Sequence, residues 1–442
     1  MMTVILPHRR SRARKAVATV LLTLATACSG CAAHPTVSST HATQAPNTAP
    51  TRDFPAVVKL MNDAIAAERL PGAVVVIGHA GQRVFHRAFG SRKLAGEAGL
   101  DGLPAPAEPM TEDTIFDIAS LTKPLATATA VMQLHERGKV QFDDPVQKYL
   151  PDFNTANDPR RAQVTLRMLL THTSGEPIDV NLIDPWGLDR ADKAEGIRRA
   201  LTTPLQSDPG EVFRYSDINF ILLGALLEQL TGEPEDVYVQ HNVFGPLGMA
   251  ETRYRPPAGL LPRIAPTAMD GDHLLRGSVH DPTARRMGGV AGNAGVFSTA
   301  HDVSVYAQAL LDRRANRPSA FPLKQATLQA MTTPQQPGHT ARQLDAANEA
   351  VRVAVNYPAI KGQNLFGFGW DIDTAYSMPR GTIFPIGSFG NTGFTGTSLW
   401  IDPGSDTYVV LLSNAIHLRG STPISDLRGE LATAAAKGLG LT

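Results

Sequence analysis

The decisive stretch of this chain reads Phe116-Asp-Ile-Ala-Ser120-Leu-Thr-Lys123-Pro124. A serine and a lysine three residues apart lie on the same face of a helix, about one turn from each other. Pro124 fits the first turn of a helix, where a missing backbone N–H costs little, and the helical pattern continues to Gly138. The stretch therefore predicts that Ser120 stands at a helix N-terminus with the Lys123 amine beside it.

This spacing suits nucleophilic catalysis. A lysine held partly out of water loses its proton more readily and then acts as the base that activates a serine. Backbone N–H groups at a helix N-terminus also favour a negatively charged oxygen. The alternative is structural: Ser120 caps the helix and Lys123 is a solvated residue of its first turn. The four residues alone do not decide between the two interpretations.

A second segment places Tyr215 and Asp217 just before an apolar helix predicted over residues 219–231. This order puts a phenol and a carboxylate on a loop whose direction is fixed by the helix that follows. The alternative is a helix cap, in which Asp217 or Ser216 bonds the first helical turn and Tyr215 is half-buried.

Two more segments carry unusual residues. Four glycines between Gly387 and Gly396 permit a close backbone approach at the entry to a strand, and a bulged strand entry is the alternative. His172 lies in Leu169-Leu-Thr-His172-Thr-Ser-Gly175. We expect it to be a structural histidine bonded within a turn, because the chain has no Gly-x-Ser-x-Gly segment with which it would pair as a base.

Together these segments resemble the serine β-lactamase and penicillin-binding protein superfamily, above all its branch of class C β-lactamases, DD-carboxypeptidases and related esterases. The resemblance covers residues 53–435. It rests on three motifs: Ser120-x-x-Lys123, Tyr215-x-Asp217 in place of the branch's Tyr-x-Asn, and Asn391-Thr392-Gly393 in place of its Lys-Thr-Gly or His-Thr-Gly. It implies an α+β, β-lactamase/transpeptidase-like fold, with an antiparallel sheet flanked by helices and an inserted all-helical region.

The resemblance also implies a mechanism, covalent acyl transfer through Ser120 with Lys123 and Tyr215 as the acid and base. The backbone N–H groups of Ser120 and Phe394 would hold the oxyanion. Substrate-binding roles would fall to Asp217, Asn391, Thr392 and Gly393. The implied chemistry needs no metal and no cofactor.

Two departures from the family pattern bear on substrate recognition. Asp217 replaces an amide that would donate to the substrate, and a carboxylate only accepts unless it is protonated. It is also placed to pair with Lys123, which would raise the pKa of that lysine and weaken it as a base. Asn391 replaces a basic residue, so the charge-assisted part of binding a substrate carboxylate is lost. Both changes bear on recognition of β-lactams and D-Ala-D-Ala peptides, and neither removes the acylating residues.

The N-terminal residues predict export. Five basic residues within residues 1–15 precede an apolar stretch over residues 16–27, which has the length of a signal-peptide core and is too short to span a bilayer. The only two cysteines, Cys28 and Cys31, follow directly. Leu24-Ala-Thr-Ala-Cys28 resembles a lipoprotein lipidation site, with Cys31 as the alternative acceptor and plain secretion as the second interpretation. Residues 28–52, rich in Ala, Thr, Ser and Pro, are expected to be a flexible tether to a membrane anchor.

Strand patterns occupy both ends of the remaining chain and helical patterns its middle. We expect strands over residues 73–77, 83–89, 366–373, 395–402 and 407–413, with a helix before the first and another after the last, over residues 426–437. A single domain over residues 53–442 follows. Its sheet lobe would be built from residues 53–115 and 350–442, and its helical lobe from residues 116–349.

The composition is that of an ordinary globular protein. The 442 residues carry 41 basic and 41 acidic side chains, so nothing indicates a nucleic-acid surface. We therefore expect an exported serine hydrolase of the cell envelope that hydrolyses amides as a DD-carboxypeptidase or β-lactamase. Its partners would be peptidoglycan stem peptides, β-lactams or small esters. Esterase activity on short acyl esters is the first alternative, and a non-catalytic peptidoglycan-binding protein is the second.

Overall fold

The computed structural model describes residues 52–271, 273–336, 364–418 and 423–442. The expected signal peptide, the tether and the candidate lipidation sites Cys28 and Cys31 lie outside these ranges. None of the helices in the described part of the chain combines the length and apolar character that a membrane-crossing helix needs.

One eight-stranded sheet brings the two ends of the chain together. The thirteen described strands are β1 Gly72–His79, β2 Gln82–Lys93, β3 Glu108–Pro109, β4 Ile115–Asp117, β5 Arg253–Tyr254, β6 Met269–Asp270, β7 His273–Leu274, β8 Val296–Thr299, β9 Leu365–Phe366, β10 Asp371–Asp373, β11 Phe389–Gly393, β12 Thr397–Asp402 and β13 Thr407–Ser413. The large sheet has the order β3-β2-β1-β13-β12-β11-β10-β9, and all its pairs are antiparallel. The predicted antiparallel sheet built from both ends is confirmed.

Helices form the middle and both ends of the described domain. The described α-helices are α1 Pro55–Ala66, α2 Thr129–Glu136, α3 Leu166–Leu170, α4 Lys193–Thr202, α5 Asp217–Thr231, α6 Glu235–Val239, α7 Gly245–Leu247, α8 Pro282–Arg286, α9 Ala300–Arg314, α10 Gln325–Met331 and α11 Ser425–Gly438. The insertion between the two groups of sheet strands is mainly helical, as expected. It also holds short strands that the sequence pattern did not reveal, β4, β8 and β5 in one small sheet and β6 with β7 in another.

The two faces of the large sheet have separate cores, which explains why β1 is apolar at every position from Ala73 to Ile77. In β1, Ala73, Val75 and Ile77 pack with α1 and α11, whereas Val74 and Val76 pack with the helices of the insertion. Successive side chains of a strand point to opposite faces, so a strand covered on both sides needs apolar residues throughout.

The predicted strand over residues 366–373 is interrupted. Gly369 has a φ of +83°, and its N–H donates to Leu170 O, so the chain leaves the sheet to contact α3 between β9 and β10. A positive φ is a conformation that glycine adopts without strain. The interruption matters for the site, because Gly369 O then faces Asn391 of β11.

Candidate active site

The entry to the predicted catalytic helix has a strained backbone. A 3-10 turn over Ala119–Leu121 leads into π-helical turns over Lys123–Ala128 and then into α2. Ala119 has a φ of +47°, which is unfavourable for a residue with a Cβ. Its N–H donates to Asp117 Oδ1 at 2.9 Å, while Asp117 Oδ2 accepts from His280 N at 2.7 Å. The Asp117 carboxylate therefore fixes the turn that carries the half-buried Ser120.

The Lys123 amine is buried beside Ser120. Its Nζ donates to Ser120 Oγ at 3.0 Å and to the backbone oxygen of Asn293 at 3.0 Å, and it forms an ion pair with Asp217 Oδ1 at 2.6 Å. The aromatic ring of Tyr215 lies 4.8 Å from the same nitrogen. The structure thus brings together the serine, lysine and tyrosine that the sequence singled out, and Lys123 is not a solvated helix residue.

The charges around Lys123 favour its protonated form. Burial lowers the pKa of Lys123, but Asp217 and Tyr215 raise it by more, so the net pKa lies above that of a lysine in water. Burial raises the pKa of the Tyr215 phenol, against the opposing charge of Lys123 and hydrogen bonds with Lys123 and Ser120. An ammonium group has three N–H donors, and three oxygens lie within 3.0 Å of Nζ. The geometry is therefore that of a resting site in which Lys123 carries its proton.

Two further carboxylates lie near Asp217. Burial, then the charge of Asp217, raises the pKa of Asp281 to about 6. Burial, together with Asp281 and Asp217, raises the pKa of Asp179 to about 7. Asp281 accepts from Ala284 N at the start of α8, and Asp179 accepts from Thr283 Oγ1 at 2.8 Å. This group of acidic side chains opposes any loss of the Lys123 proton.

The segment that carries Tyr215 and leads to Asp217 at the start of α5 is fixed by its neighbours. Asp217 N donates to Ile178 O, and Ser216 Oγ donates to Pro177 O at 2.6 Å. No side chain caps α5 through a hydrogen bond, so the helix-cap interpretation of this segment is wrong. His172 is buried, as expected for a structural histidine. Its Nδ1 accepts from Ser216 N at 3.2 Å, and its ring lies 4.5 Å from that of Tyr215.

The glycine-rich segment packs against the residues just before Ser120. A Cβ added at Gly393 would lie 2.5 Å from Ile118 O, so only glycine fits at this position. Thr395 Oγ1 donates to Asp117 O at 2.7 Å, and Thr397 Oγ1 donates to Ile118 O at 3.1 Å. Two hydroxyls thus fasten the turn that follows β11 to the backbone that precedes the serine, which holds the Ser120 and Phe394 peptides near each other.

Asn391 and Thr392 lie on β11 and line the cavity in front of Ser120. Asn391 is only 7% exposed; its Nδ2 donates to Gly369 O at 3.0 Å and its Oδ1 accepts from Thr392 N at 2.7 Å. Both ends of this amide are therefore bonded within the protein. Thr392 is half-buried and lines the cavity.

A cavity of about 410 Å³ lies between the Ser120 turn and β11. Its walls include Ser120, Tyr215, Asn391, Thr392, Gly393 and Phe394, together with Tyr376, Met378 and Arg428 from the C-terminal third of the chain. The Phe394 ring is 72% exposed and stacks on His280 at 5.4 Å between ring centres. The Ser120 hydroxyl, the neighbouring Lys123 and Tyr215 side chains and a mainly apolar cavity form a site suited to acyl transfer.

The sequence profile of the family described as Beta-lactamase matches residues 57–431. The chain belongs to the Beta-lactamase family. A protein of Escherichia coli strain K12 named "Putative D-alanyl-D-alanine carboxypeptidase" is 32% identical over 380 residues, which cover 80% of this chain and 80% of that protein. This family member is a serine hydrolase with the β-lactamase-like fold that the motifs predicted.

Solved structures agree on the fold. Unliganded simvastatin synthase LovD of Aspergillus terreus is similar with a TM-score of 0.62 at 26% identity, covering 86% of this chain and 97% of LovD. A class C β-lactamase of Rhodobacter sphaeroides gives a TM-score of 0.61 at 20% identity, covering 87% of this chain and 99% of the enzyme. These similarities extend over nearly the whole of each neighbour, so this Beta-lactamase family member shares their fold.

Several residues of the site were missed by the sequence reasoning. The backbone oxygen of Asn293 contacts Lys123, the hydroxyls of Thr395 and Thr397 contact the backbone just before Ser120, and the guanidinium of Arg428 contacts Gly393 O. Asn293 lies in a glycine-rich segment, residues 288–297, to which we assigned no role. The others carried no local signal, because their contacts are made across the sheet.

Proposed function

We propose that this protein hydrolyses acyl substrates through a covalent acyl-enzyme on Ser120. The single observation that supports this most strongly is the 3.0 Å contact between Ser120 Oγ and Lys123 Nζ at the wall of a cavity that Tyr215 also lines. A nucleophile within hydrogen-bond reach of a base is the arrangement that such chemistry requires.

The proposed reaction begins when Ser120 Oγ attacks the substrate carbonyl and its proton passes to the Lys123–Tyr215 pair. The N–H groups of Ser120 and Phe394 hold the negative oxygen of the tetrahedral intermediate. The bond to the leaving group then breaks, and the pair returns the proton to the leaving nitrogen or oxygen. Water attacks the ester to Ser120, releases the acid and restores the hydroxyl.

Lys123 must first lose a proton if it is to serve as the base. In the resting geometry it donates to Ser120 and pairs with Asp217, so only the small unprotonated fraction accepts a proton at neutral pH. We infer that the wild-type enzyme acylates slowly at neutral pH and faster at alkaline pH.

DD-carboxypeptidase or β-lactamase-like amide hydrolysis is the first candidate activity. Family membership and the name of the Escherichia coli relative support this activity. The substrates would then be peptidoglycan stem peptides or β-lactams. Thr392 is placed on the cavity wall to donate to a substrate carboxylate.

Hydrolysis of short acyl esters is the second candidate, and position 391 favours it. Asn391 carries no charge, and both ends of its amide are bonded to the protein. An ester has a better leaving group than an amide and needs no cation in the site, so its hydrolysis depends less on the contact that is missing here.

Intact-mass measurement after exposure to a penicillin and, separately, to a neutral p-nitrophenyl ester tests both candidates. We expect an adduct on Ser120 with at least one of them, followed by its loss over time. The Ser120→Ala variant is the control and should remain unlabelled. A protein that binds peptidoglycan fragments but forms no adduct with either reagent would be a non-catalytic binding protein instead.

We further propose that the protein is exported and anchored to a membrane by a lipid on Cys28. The basic residues, the apolar stretch and the cysteine in sequence support this proposal. Expressed with its own signal in a bacterium, the protein should partition into detergent, and Cys28→Ala should release it. Cys31→Ala is the matched control: release by this variant alone would move the lipid to Cys31, and release by neither would argue against an anchor.

A further inference from the structure

Arg428 connects the C-terminal helix with the turn that carries the proposed oxyanion donor. This residue of α11 lines the active-site cavity, and its Nη2 donates to Gly393 O at 2.8 Å and to Thr397 O at 3.0 Å. Gly393 and Thr397 are partners at the end of the β11–β12 hairpin. One guanidinium nitrogen therefore bridges both strands where the hairpin turns.

Arg428 is a half-buried cation. Burial lowers its pKa to about 10, so the group stays charged at neutral pH. Within the described ranges no carboxylate forms an ion pair with it. Its Nε is buried without a hydrogen-bond partner. Removing a charged group from water costs free energy unless the group is paired or hydrogen-bonded. The hydrogen bonds of Arg428 are made to carbonyls of the hairpin.

The geometry of a peptide bond relates these contacts to catalysis. Gly393 O and the Phe394 N–H belong to the same planar, trans peptide unit, so they point in opposite directions. A donor that fixes the carbonyl also fixes the direction of the N–H. A positive charge at the carbonyl oxygen polarises the unit and makes its N–H a stronger donor.

We propose that Arg428 is a positioning residue for the oxyanion site, which holds and polarises the Gly393–Phe394 peptide from the side opposite to the substrate. The inference rests on the proposed acyl-enzyme function. Thr395 and Thr397 fasten the same turn to the backbone before Ser120. The turn is thus held from two directions, by neutral hydroxyls on the serine side and by a charged side chain on the helix side.

The contacts argue against direct binding of substrate by Arg428. These contacts engage or bury two of the three guanidinium nitrogens, since Nη2 already serves two backbone carbonyls and Nε is buried. A residue that bound a substrate carboxylate would matter only for substrates that have one. A residue that positions the oxyanion donor acts on every acyl donor, and it acts on the transition state.

The test compares Arg428→Lys and Arg428→Met with wild type. The measurements are kcat and KM for a penicillin and for a neutral p-nitrophenyl ester, the affinity for a boronic acid that forms an adduct with the serine, and the melting temperature. Arg276→Lys is the matched control, because Arg276 Nε also donates to two backbone carbonyls, Leu261 O and Ile264 O, and Arg276 does not line the cavity.

We expect Arg428→Met to lower kcat about 10²-fold for both substrates, with KM changed less than about twofold. Boronic acid affinity should fall in parallel, and Arg428→Lys should recover part of each loss because it keeps the charge. Arg276→Lys should leave kcat unchanged at temperatures where it is folded.

Other outcomes overturn the inference. A loss confined to the penicillin and expressed in KM would make Arg428 a substrate-binding residue, and unchanged kcat in both variants would leave it with a structural role only. If Arg428→Met does not fold, the kinetics and boronic acid affinity of Arg428→Lys decide. A wild-type protein that forms no adduct on Ser120 would overturn the proposed function itself, and this inference with it.

Discussion

The two walls of the cavity are held by different forces. The helix wall presents Ser120 and Lys123, and its geometry depends on charge, since Lys123 forms an ion pair with Asp217 at 2.6 Å. The strand wall presents Asn391, Thr392 and the Phe394 peptide. It has no charged side chain of its own on β11 and is fixed by hydrogen bonds to carbonyl oxygens.

This difference assigns the proposed reaction to the helix wall and the recognition of substrate to the strand wall. In the proposed mechanism the buried charges of the helix wall control when a proton leaves Ser120, so the rate of acylation should depend on pH. Strand β11 carries no cation that would select a carboxylate, and the Arg428 cation is bonded to carbonyls of the hairpin, so charged substrates gain little from this wall. Substitutions on the helix wall should therefore change the rate of acylation. Substitutions at position 391 should change the preference between charged and neutral substrates.

The largest effect is expected for Ser120→Ala on the helix wall. Because the hydroxyl is the proposed nucleophile, turnover should fall on the order of 10⁶-fold, and covalent labelling should disappear. Ser405→Ala, in the turn between β12 and β13, is the matched control and should behave as wild type. Labelling of the Ser120→Ala protein at the wild-type rate, measured by intact mass, would show that the nucleophile is another residue.

Lys123→Ala and Tyr215→Phe should each lower kcat by about 10²- to 10⁴-fold, the usual contribution of a general acid or base. Because both act on one proton, the double variant should lose much less than the product of the two single losses. Lys93→Ala removes another buried lysine, one bonded to Leu94 O and Pro106 O, and should leave kcat unchanged. Strictly additive losses would mean that the lysine and the tyrosine act independently.

Asp217→Asn tests whether charge sets the pH dependence of the helix wall. Asp217 raises the pKa of Lys123 and burial opposes it, so a neutral amide should lower that pKa. If the free amine is the base, the alkaline rise in kcat/KM should move to lower pH. Activity at pH 7 should then increase about tenfold for each unit by which the pKa falls. A lower rate at every pH would show instead that the carboxylate itself takes part in proton transfer.

Asn391→Lys should have the smallest and most selective effect, on the strand wall. A cation at this position should lower KM for penicillins or D-Ala-D-Ala peptides by up to about tenfold, as expected for one partly exposed charge interaction. It should hardly change KM for a neutral ester, and the gain should shrink in high salt. Equal effects on charged and neutral substrates would show that residue 391 does not face the substrate carboxylate.

The sequence by itself determined the local parts of this protein. The spacing of Ser120 and Lys123 places both on one helix face wherever the helix lies, because helical geometry is local. Alternating and continuous apolar runs predicted β1, β2, β12 and β13. The family resemblance then implied one antiparallel sheet flanked by helices, an arrangement that no local pattern contains.

Only the tertiary structure decided how the motifs meet. In the folded protein Asp217 pairs with Lys123 and does not cap a helix. This ion pair requires two segments almost a hundred residues apart to face each other. The tertiary structure split the strand predicted over residues 366–373, because Gly369 leaves the sheet to contact α3. It also brought Arg428 to Gly393 from the last helix. Hydrogen bonds and ion pairs between distant segments leave no periodic trace in a sequence, so packing alone reveals them.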